Sequence, residues 1–384
     1  MSDVVSFFVH NLGGNPLGRA IPIAKALERR GYNVEVLGFI FGKRDVYAPY
    51  RQEINAKIIR TTKKPVEFFR KAQKLARQAE GDIIYAFKPL MTTLAPALFA
   101  ARIVKSRPLL LDVEDEEVYL NTVTSFQDVW MKILRGWRLA TSWKYTRLLQ
   151  LFRGSVDATT VVSTTLKERY GGTILRHGPD EHQFYPDRFG QPHQLREKWG
   201  LPTDRKLAFF IGTPKSHKGL PVLAEAVALP KCRNWDLVLV GPTDNPFAQA
   251  AKNRLEDRVH SLGMQSYHLA PELLSMADAI PIPQLPTSFA EAQVPAKLLD
   301  AMAMARPIVA SRIGDLPDIL GDGERGWLIE PGSSESLANA LSEIDENPRA
   351  ASTRAQRARN WYVENASTTA IKEKLESILE CLSR

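Results

Sequence analysis

The chain has 384 residues, 44% hydrophobic and 24% charged, with two cysteines and a net charge of +8. This is ordinary globular composition at a length that suits two domains. Cys232 and Cys381 exclude a disulfide framework or a Cys-rich zinc site and fit a reducing cytosol, and no run of ~20 apolar residues can cross a membrane as a helix.

The N-terminal MSDVVSFFVHNLGG lacks a basic segment ahead of its apolar run, so it reads as a first strand and turn rather than a signal peptide. VVSFFVH (4–10), NVEVLGF (33–39), DIIYAF (82–87), PLLLDV (108–113) and ATTVVS (158–163) read as strands. Several are apolar at consecutive positions, as parallel strands covered on both faces are. Helical stretches, such as 17–30 and 66–79, fall between them, and this β-α alternation predicts a doubly wound parallel sheet. A stretch rich in Gly, Pro and Asp, RHGPDEHQFYPDRFGQP (176–192), reads as an interdomain connection. The alternation then restarts, with strands at 205–212, 235–241, 277–283 and 306–311 and helices near 218–229, 246–256, 296–304 and 333–345. Residues 349–383 read as two helices parted near Asn365-Ala366-Ser367.

Charge is uneven along this frame. Residues 1–190 hold 29 Lys and Arg against 19 Asp and Glu, a balance of +10, whereas 191–384 balance at −2. The first half therefore favours an anionic partner: nucleic acid, a phosphorylated substrate or an anionic membrane.

Four short segments carry candidate chemistry. His10-Asn11-Leu12-Gly13-Gly14-Asn15-Pro16 follows the first strand, where Gly13 and Gly14 let the backbone turn tightly and approach a ligand. The spacing is not G-x-G-x-x-G, and a plain strand-to-helix turn is the alternative. In IGTPKSHKGL (211–220), a strand ends at Gly212 and Lys215 and Lys218 precede a helix beginning near Gly219. Two ammonium groups beside a helix N-terminus can clamp a diphosphate, although a solvated lysine loop has the same composition. FAEAQVPAKLLDAMAMARPIVAS (289–311) is the most specific stretch. Pro295 suits the first helical turn, the residues after it offer unpaired N–H groups to a phosphate, and Asp300 can accept from a ribose diol. The plain alternative is a buried helix whose Asp300 pairs with a neighbour. In LLLDVEDEEVY (110–119) a strand runs into Asp112, Glu114, Asp115, Glu116 and Glu117, a cluster that marks a cleft edge and can raise its members' pKa. It also suits divalent cations or is a solvated acidic loop.

A fifth feature concerns location. Residues 129–153 interleave Trp130, Trp137 and Trp143 with Lys132, Arg135, Arg138, Lys144, Arg147 and Arg153, the composition of an interfacial helix or of a core helix with a basic face. Residues 57–77 add further positive charge.

With these segments in place, the chain resembles the GT-B nucleotide-sugar glycosyltransferases of the retaining family 4 type over nearly its whole length. Gly13-Gly14 is similar to the family's first turn. Residues 161–186 are similar to its interdomain passage, with His177 where Asn is common. Lys218-Gly219 matches the R-x4-K-G loop, with Thr213 in the arginine's place and Lys215 nearby. In the E-x7-E pattern Asp300 fills the second position, Ala292 the first, and Glu291 stands one residue before. Glu114 occupies the end of the fifth strand, where the family often has His.

The resemblance implies two Rossmann-like domains facing across a cleft: 1–187 on the acceptor side, 188–361 binding the nucleotide sugar, and a helix within 362–384 returning to the first. It implies transfer of a sugar, with retention, from a nucleoside diphosphate donor to an acceptor hydroxyl of a glycan or lipid-linked molecule. Lys218, Glu114 and Asp115 are then the catalytic candidates. The donor-binding candidates are Gly13, Gly14, Gly212, Lys215, Lys218, Gly219, Glu291, Val294, Pro295, Ala296, Lys297 and Asp300. No metal or cofactor is expected, since the lysines and the helix N-terminus can neutralise the leaving diphosphate. An anionic membrane surface is the expected further partner, with a cytoplasmic location at the inner face. A nucleotide-sugar epimerase of the same fold is one alternative. Another is a non-catalytic anion- or nucleic-acid-binding protein, although no zinc-finger spacing, RNP-type motif or arginine-rich tail supports nucleic acid.

Overall fold

The computed structural model describes residues 4–14, 17–43, 45–47, 51, 55–115, 140 and 142–382. Trp130, Trp137, Lys132, Arg135, Arg138, Glu116, Glu117, Asn15 and Pro16 lie outside the described residues. The chain divides into two compact units, Met1–His177 with Thr368–Arg384, and Gly178–Ser367. The sequence reading drew its boundaries at 187/188 and 361/362.

Unit 1 holds β1 (Val4–Asn11), β2 (Asn33–Phe41), β3 (Ala56–Thr61), β4 (Ile83–Phe87), β5 (Leu109–Val113), β6 (Ala158–Val161) and β7 (Thr173–Ile174). They form one sheet in the order β3-β2-β1-β4-β5-β6-β7, parallel throughout. Every residue of β4 and β5 is buried, which explains their unbroken apolar runs. The last helix, Thr368–Leu382, belongs to this unit although the chain has left it at His177. It buries Ile371, Leu375 and Leu379 at four-residue steps, packs on the helix Leu17–Glu28, and pairs Glu376 with Arg30.

Unit 2 holds β8 (Lys206–Ile211), β9 (Trp235–Val240), β10 (Val259–Gly263), β11 (Ile280–Ile282), β12 (Ile308–Ser311) and β13 (Trp327–Ile329). Two three-stranded sheets, β10-β9-β8 and β11-β12-β13, are joined by a parallel bridge between Ala208 and Ala279. Through that bridge the unit reads 3-2-1-4-5-6, the doubly wound order, and unit 1 has the same order with a seventh strand added. In such sheets ligands bind beyond the carboxyl ends of the strands, where the order reverses. That point lies between β1 and β4 in unit 1 and between β8 and β11 in unit 2.

Candidate functional site

In unit 2 the reversal point is built from two glycines and two lysines. Gly212, just past β8, has φ +112°; a Cβ there would lie 3.6 Å from Lys218 Nζ. Gly219 has φ +67°, and a Cβ on it would come within 1.8 Å of the Pro283 carbonyl oxygen, so only glycine lets this loop pass so close to the segment after β11. The Leu285 N–H donates to His217 O at 2.8 Å, and the His217 ring meets Phe289 edge-on at 5.0 Å. Lys215 is exposed and Lys218 half-buried.

Lys297 reaches the same strand end from the helix Ala296–Ala303, with Nζ 4.3 Å from the centre of the Phe210 ring in β8. Burial, and then the charge of Lys218, lower its pKa to about 7. Two lysines therefore gather at the end of β8, the charge of one disfavouring that of the other, a repulsion that an anion placed beside them would relieve. Pro295 stands immediately before this helix, with ψ 126°, rather than within its first turn as the sequence suggested. Its carbonyl accepts from Leu298 N–H at 2.9 Å. Val294 is buried and Ala296 exposed.

Asp300 lies one turn further along the same helix, 9% exposed. Tyr267 O–H donates to its Oδ1 at 2.9 Å. Burial raises its pKa to about 7, against the opposing effect of the tyrosine hydrogen bond. Glu291, on the short helix Ser288–Ala292, is exposed, and its carbonyl oxygen rests against Gly314.

In unit 1 the reversal point is polar. Gly13 and Gly14 form a turn closed by Asn11, whose Oδ1 accepts from Gly13 N–H at 3.2 Å and whose carbonyl accepts from Gly14 N–H at 3.0 Å. His10, at the end of β1, holds Thr92 Oγ1 at 2.5 Å. Burial, then the charges of Lys88 and Lys63, lower its pKa to about 3, so the imidazole is neutral. Glu114 and Asp115, past β5, share Lys88 from the end of β4: Nζ lies 2.9 Å from Glu114 Oε1 and 2.5 Å from Asp115 Oδ2. Burial raises the Glu114 pKa to about 7, with Lys88 opposing.

Beneath this cluster Arg19 is buried and grips Asp112 through Nε at 2.7 Å and a second nitrogen at 2.5 Å. It also donates to Leu175 O at 2.7 Å and His177 Nδ1 at 2.8 Å. Asp112 is thus structural, and it fixes the strand from which Glu114 and Asp115 project. Among the described residues no group of three His, Cys, Asp or Glu side chains can hold a metal ion.

The donor-side candidates Gly212, Lys218, Gly219 and Lys297 meet at one strand end, whereas Glu291 and Ala296 are exposed. Sequence reasoning gave no role to Lys88, Thr92 or Tyr267. Lys88 carried one readable signal, a charged residue directly after a fully apolar strand.

Residues 193–381 match the profile of the family described as glycosyl transferases group 1. D-inositol 3-phosphate glycosyltransferase of Mycolicibacterium smegmatis is 29% identical over 237 residues, 60% of this chain and 51% of that protein. The chain thus spans about half the length of the curated relatives it matches. Among solved structures, Anabaena Alr3699/HepE in complex with UDP and glucose superposes with a TM-score of 0.73 at 18% identity, covering 99% of this chain and 100% of that one. WaaG, a glycosyltransferase involved in lipopolysaccharide biosynthesis, gives 0.69 at 19% identity, covering 98% and 99%. These likenesses show the fold: two Rossmann-like units of the GT-B type.

Proposed function

We propose that this chain, whose residues 193–381 match the glycosyl transferases group 1 profile, transfers a sugar from a nucleoside diphosphate donor to an acceptor hydroxyl with retention at the anomeric carbon. The observation that carries this reading is the meeting of Lys218 and Lys297 at the end of β8, beside glycines that admit a ligand. As the bond from the anomeric carbon to the diphosphate breaks, negative charge grows on the leaving oxygen. Lys218, Lys297 and the N–H groups at the start of the helix Ala296–Ala303 stabilise it without a metal ion. The acceptor hydroxyl attacks from the face the diphosphate leaves, and its proton passes to a donor phosphate oxygen. Asp300 takes the ribose diol. Glu114, Asp115 and neutral His10 supply hydrogen bonds for acceptor hydroxyls.

The test is a panel of UDP-, GDP- and ADP-sugars offered to the purified protein, with release of nucleoside diphosphate as the readout. Turnover of one of them supports the reading. Inversion at a sugar carbon without release would instead favour an epimerase.

A finer reading concerns location: unit 1 docks on an anionic membrane at the inner face, where it meets a lipid-linked acceptor. Among the described residues no helix is long and apolar enough to cross a membrane. After the helix Trp143–Leu149 the chain exposes Leu151 (78%) and Phe152 (50%), beside an exposed Arg147. Apolar insertion and basic attraction, about 1 kcal/mol per residue near an anionic surface, would act together. Co-sedimentation with anionic and neutral vesicles, wild type against Leu151→Ser/Phe152→Ser, tests it. Equal, negligible binding to both vesicle types would defeat this reading and favour a soluble acceptor.

A further inference from the structure

Gln284 stands two residues beyond β11, at the reversal point of the unit 2 sheet. Both its chain neighbours are fastened to the lysine loop: the Pro283 carbonyl fills the space where Gly219 lacks a Cβ, and Leu285 N–H donates to His217 O at 2.8 Å. Its own N–H donates to Ile282 O at 2.9 Å. The backbone is therefore held at Pro283, Gln284 and Leu285 in turn. That side chain is 2% exposed, and its Oε1 is buried with no donor among the described residues.

A buried amide oxygen without a donor has lost its water and gained nothing in return. Met would fill nearly the same volume without that penalty. A polar group left unpaired in a rigid loop at a ligand-binding edge is the arrangement expected when its partner arrives with the ligand. The partner's chemistry follows from the atom. Oε1 only accepts, so neither a diphosphate oxygen nor a lysine-bound phosphate can satisfy it; a hydroxyl can. In a nucleoside diphosphate sugar, hydroxyls lie on both sides of the diphosphate, on the transferred sugar and on the ribose.

We propose that Gln284 is a specificity-determining residue of the donor site, its Oε1 accepting a hydrogen bond from a donor hydroxyl next to the diphosphate held by Lys218. This rests on the reading of unit 2 as the nucleotide-sugar unit.

Calorimetry on the full chain tests it with four probes, UDP, GDP, UDP-glucose and GDP-mannose. The variants are Gln284→Met, which removes the acceptor, and Gln284→Glu, which keeps an acceptor oxygen there. Gln284→Met is expected to melt no lower than wild type, because an unpaired buried oxygen is gone, yet to bind the recognised nucleotide sugar at least ~10-fold more weakly, as loss of one good hydrogen bond implies. Gln284→Glu should stay several-fold closer to wild type. If the loss appears with the nucleotide sugar and not with the bare nucleotide, the hydroxyl is the sugar's; an equal loss with both places the donating group on the nucleoside, and with UDP and GDP alike on the ribose the two share. Should Gln284→Met fail to fold, Gln284→Ala replaces it with the same expectation for binding, its melting temperature lowered by the cavity it leaves. Wild-type affinity of the folded variant for the probes would overturn the role of Gln284 while leaving the donor reading intact. A wild-type protein that binds none of the four, and no ADP-sugar, would overturn that reading, and this proposal with it.

Discussion

Lys297 Nζ stands 4.3 Å above the ring of Phe210, and burial together with the Lys218 charge brings its pKa down to about 7. Between pH 7 and the ordinary lysine value the folded chain holds this group neutral while the unfolded chain holds it protonated. The unfolded state then binds more protons, so ligand-free stability rises with pH across that window. A bound diphosphate reverses the preference by favouring the ammonium. Nucleoside diphosphate binding at pH 8 is therefore expected to take up a proton, with affinity falling by up to about tenfold per pH unit above 7. Calorimetry in two buffers of different ionisation enthalpy measures the uptake, and Lys297→Met should abolish it. Identical heats in both buffers for the wild type would contradict the assignment.

Asp300 carries the opposite sign. Burial holds its pKa at about 7, so between the ordinary aspartate value and pH 7 the folded state binds more protons than the unfolded one, and stability falls as pH rises through that range. Asp300→Asn keeps an acceptor for Tyr267 and removes the charge. The variant should melt above wild type at pH 8, and the gap should close below about pH 4. It should also lose ~1–3 kcal/mol of nucleoside diphosphate affinity, because a ribose hydroxyl loses a charged acceptor. Unchanged affinity would remove Asp300 from the site.

The strands the sequence concealed share a position. β3, β7, β10 and β13 each sit at an edge of their sheet. An edge strand has one neighbour and one open side, so it is short or carries charge, as Lys57 and Arg60 do in β3. The central strands, apolar at successive residues, were legible because burial on both faces writes itself into composition. The lysine loop and the helix of Lys297 and Asp300 were legible for a similar reason: glycine and proline punctuate them at fixed offsets. Lys88 and Gln284 were not, because their roles depend on which strands lie side by side. Lys88 meets Glu114 and Asp115 only because β4 pairs with β5.

Lys218 is expected to act on the departing diphosphate rather than on the bound donor. Lys218→Ala should lower kcat by roughly 100-fold, the typical loss for one preorganised charge-stabilising donor. Steady-state kinetics separate the cases: a raised KM with kcat intact would mean that Lys218 only binds the ground state.

Lys88 pairs with two carboxylates from a backbone at φ +76°, the left-handed region that costs a side-chain-bearing residue about 1–2 kcal/mol. The ion pairs and the strain can be separated by two substitutions. Lys88→Ala and Lys88→Gly both remove the ammonium and leave Glu114 and Asp115 uncompensated, so their common loss reports on the charge cluster. They differ in the Cβ alone, so their difference reports on the backbone. At this position glycine should be the more stable by about 1–2 kcal/mol, a reversal of the usual order, in which alanine is favoured because it loses less backbone entropy on folding. Urea unfolding of both variants measures the difference. An alanine variant as stable as the glycine one would show that the loop relaxes once the ammonium is gone. The conformation at residue 88 would then be held by the pull of Glu114 and Asp115 on the lysine, rather than by the Lys88 N–H bond to Asp112 O and the Thr93 Oγ1–H bond to Lys88 O.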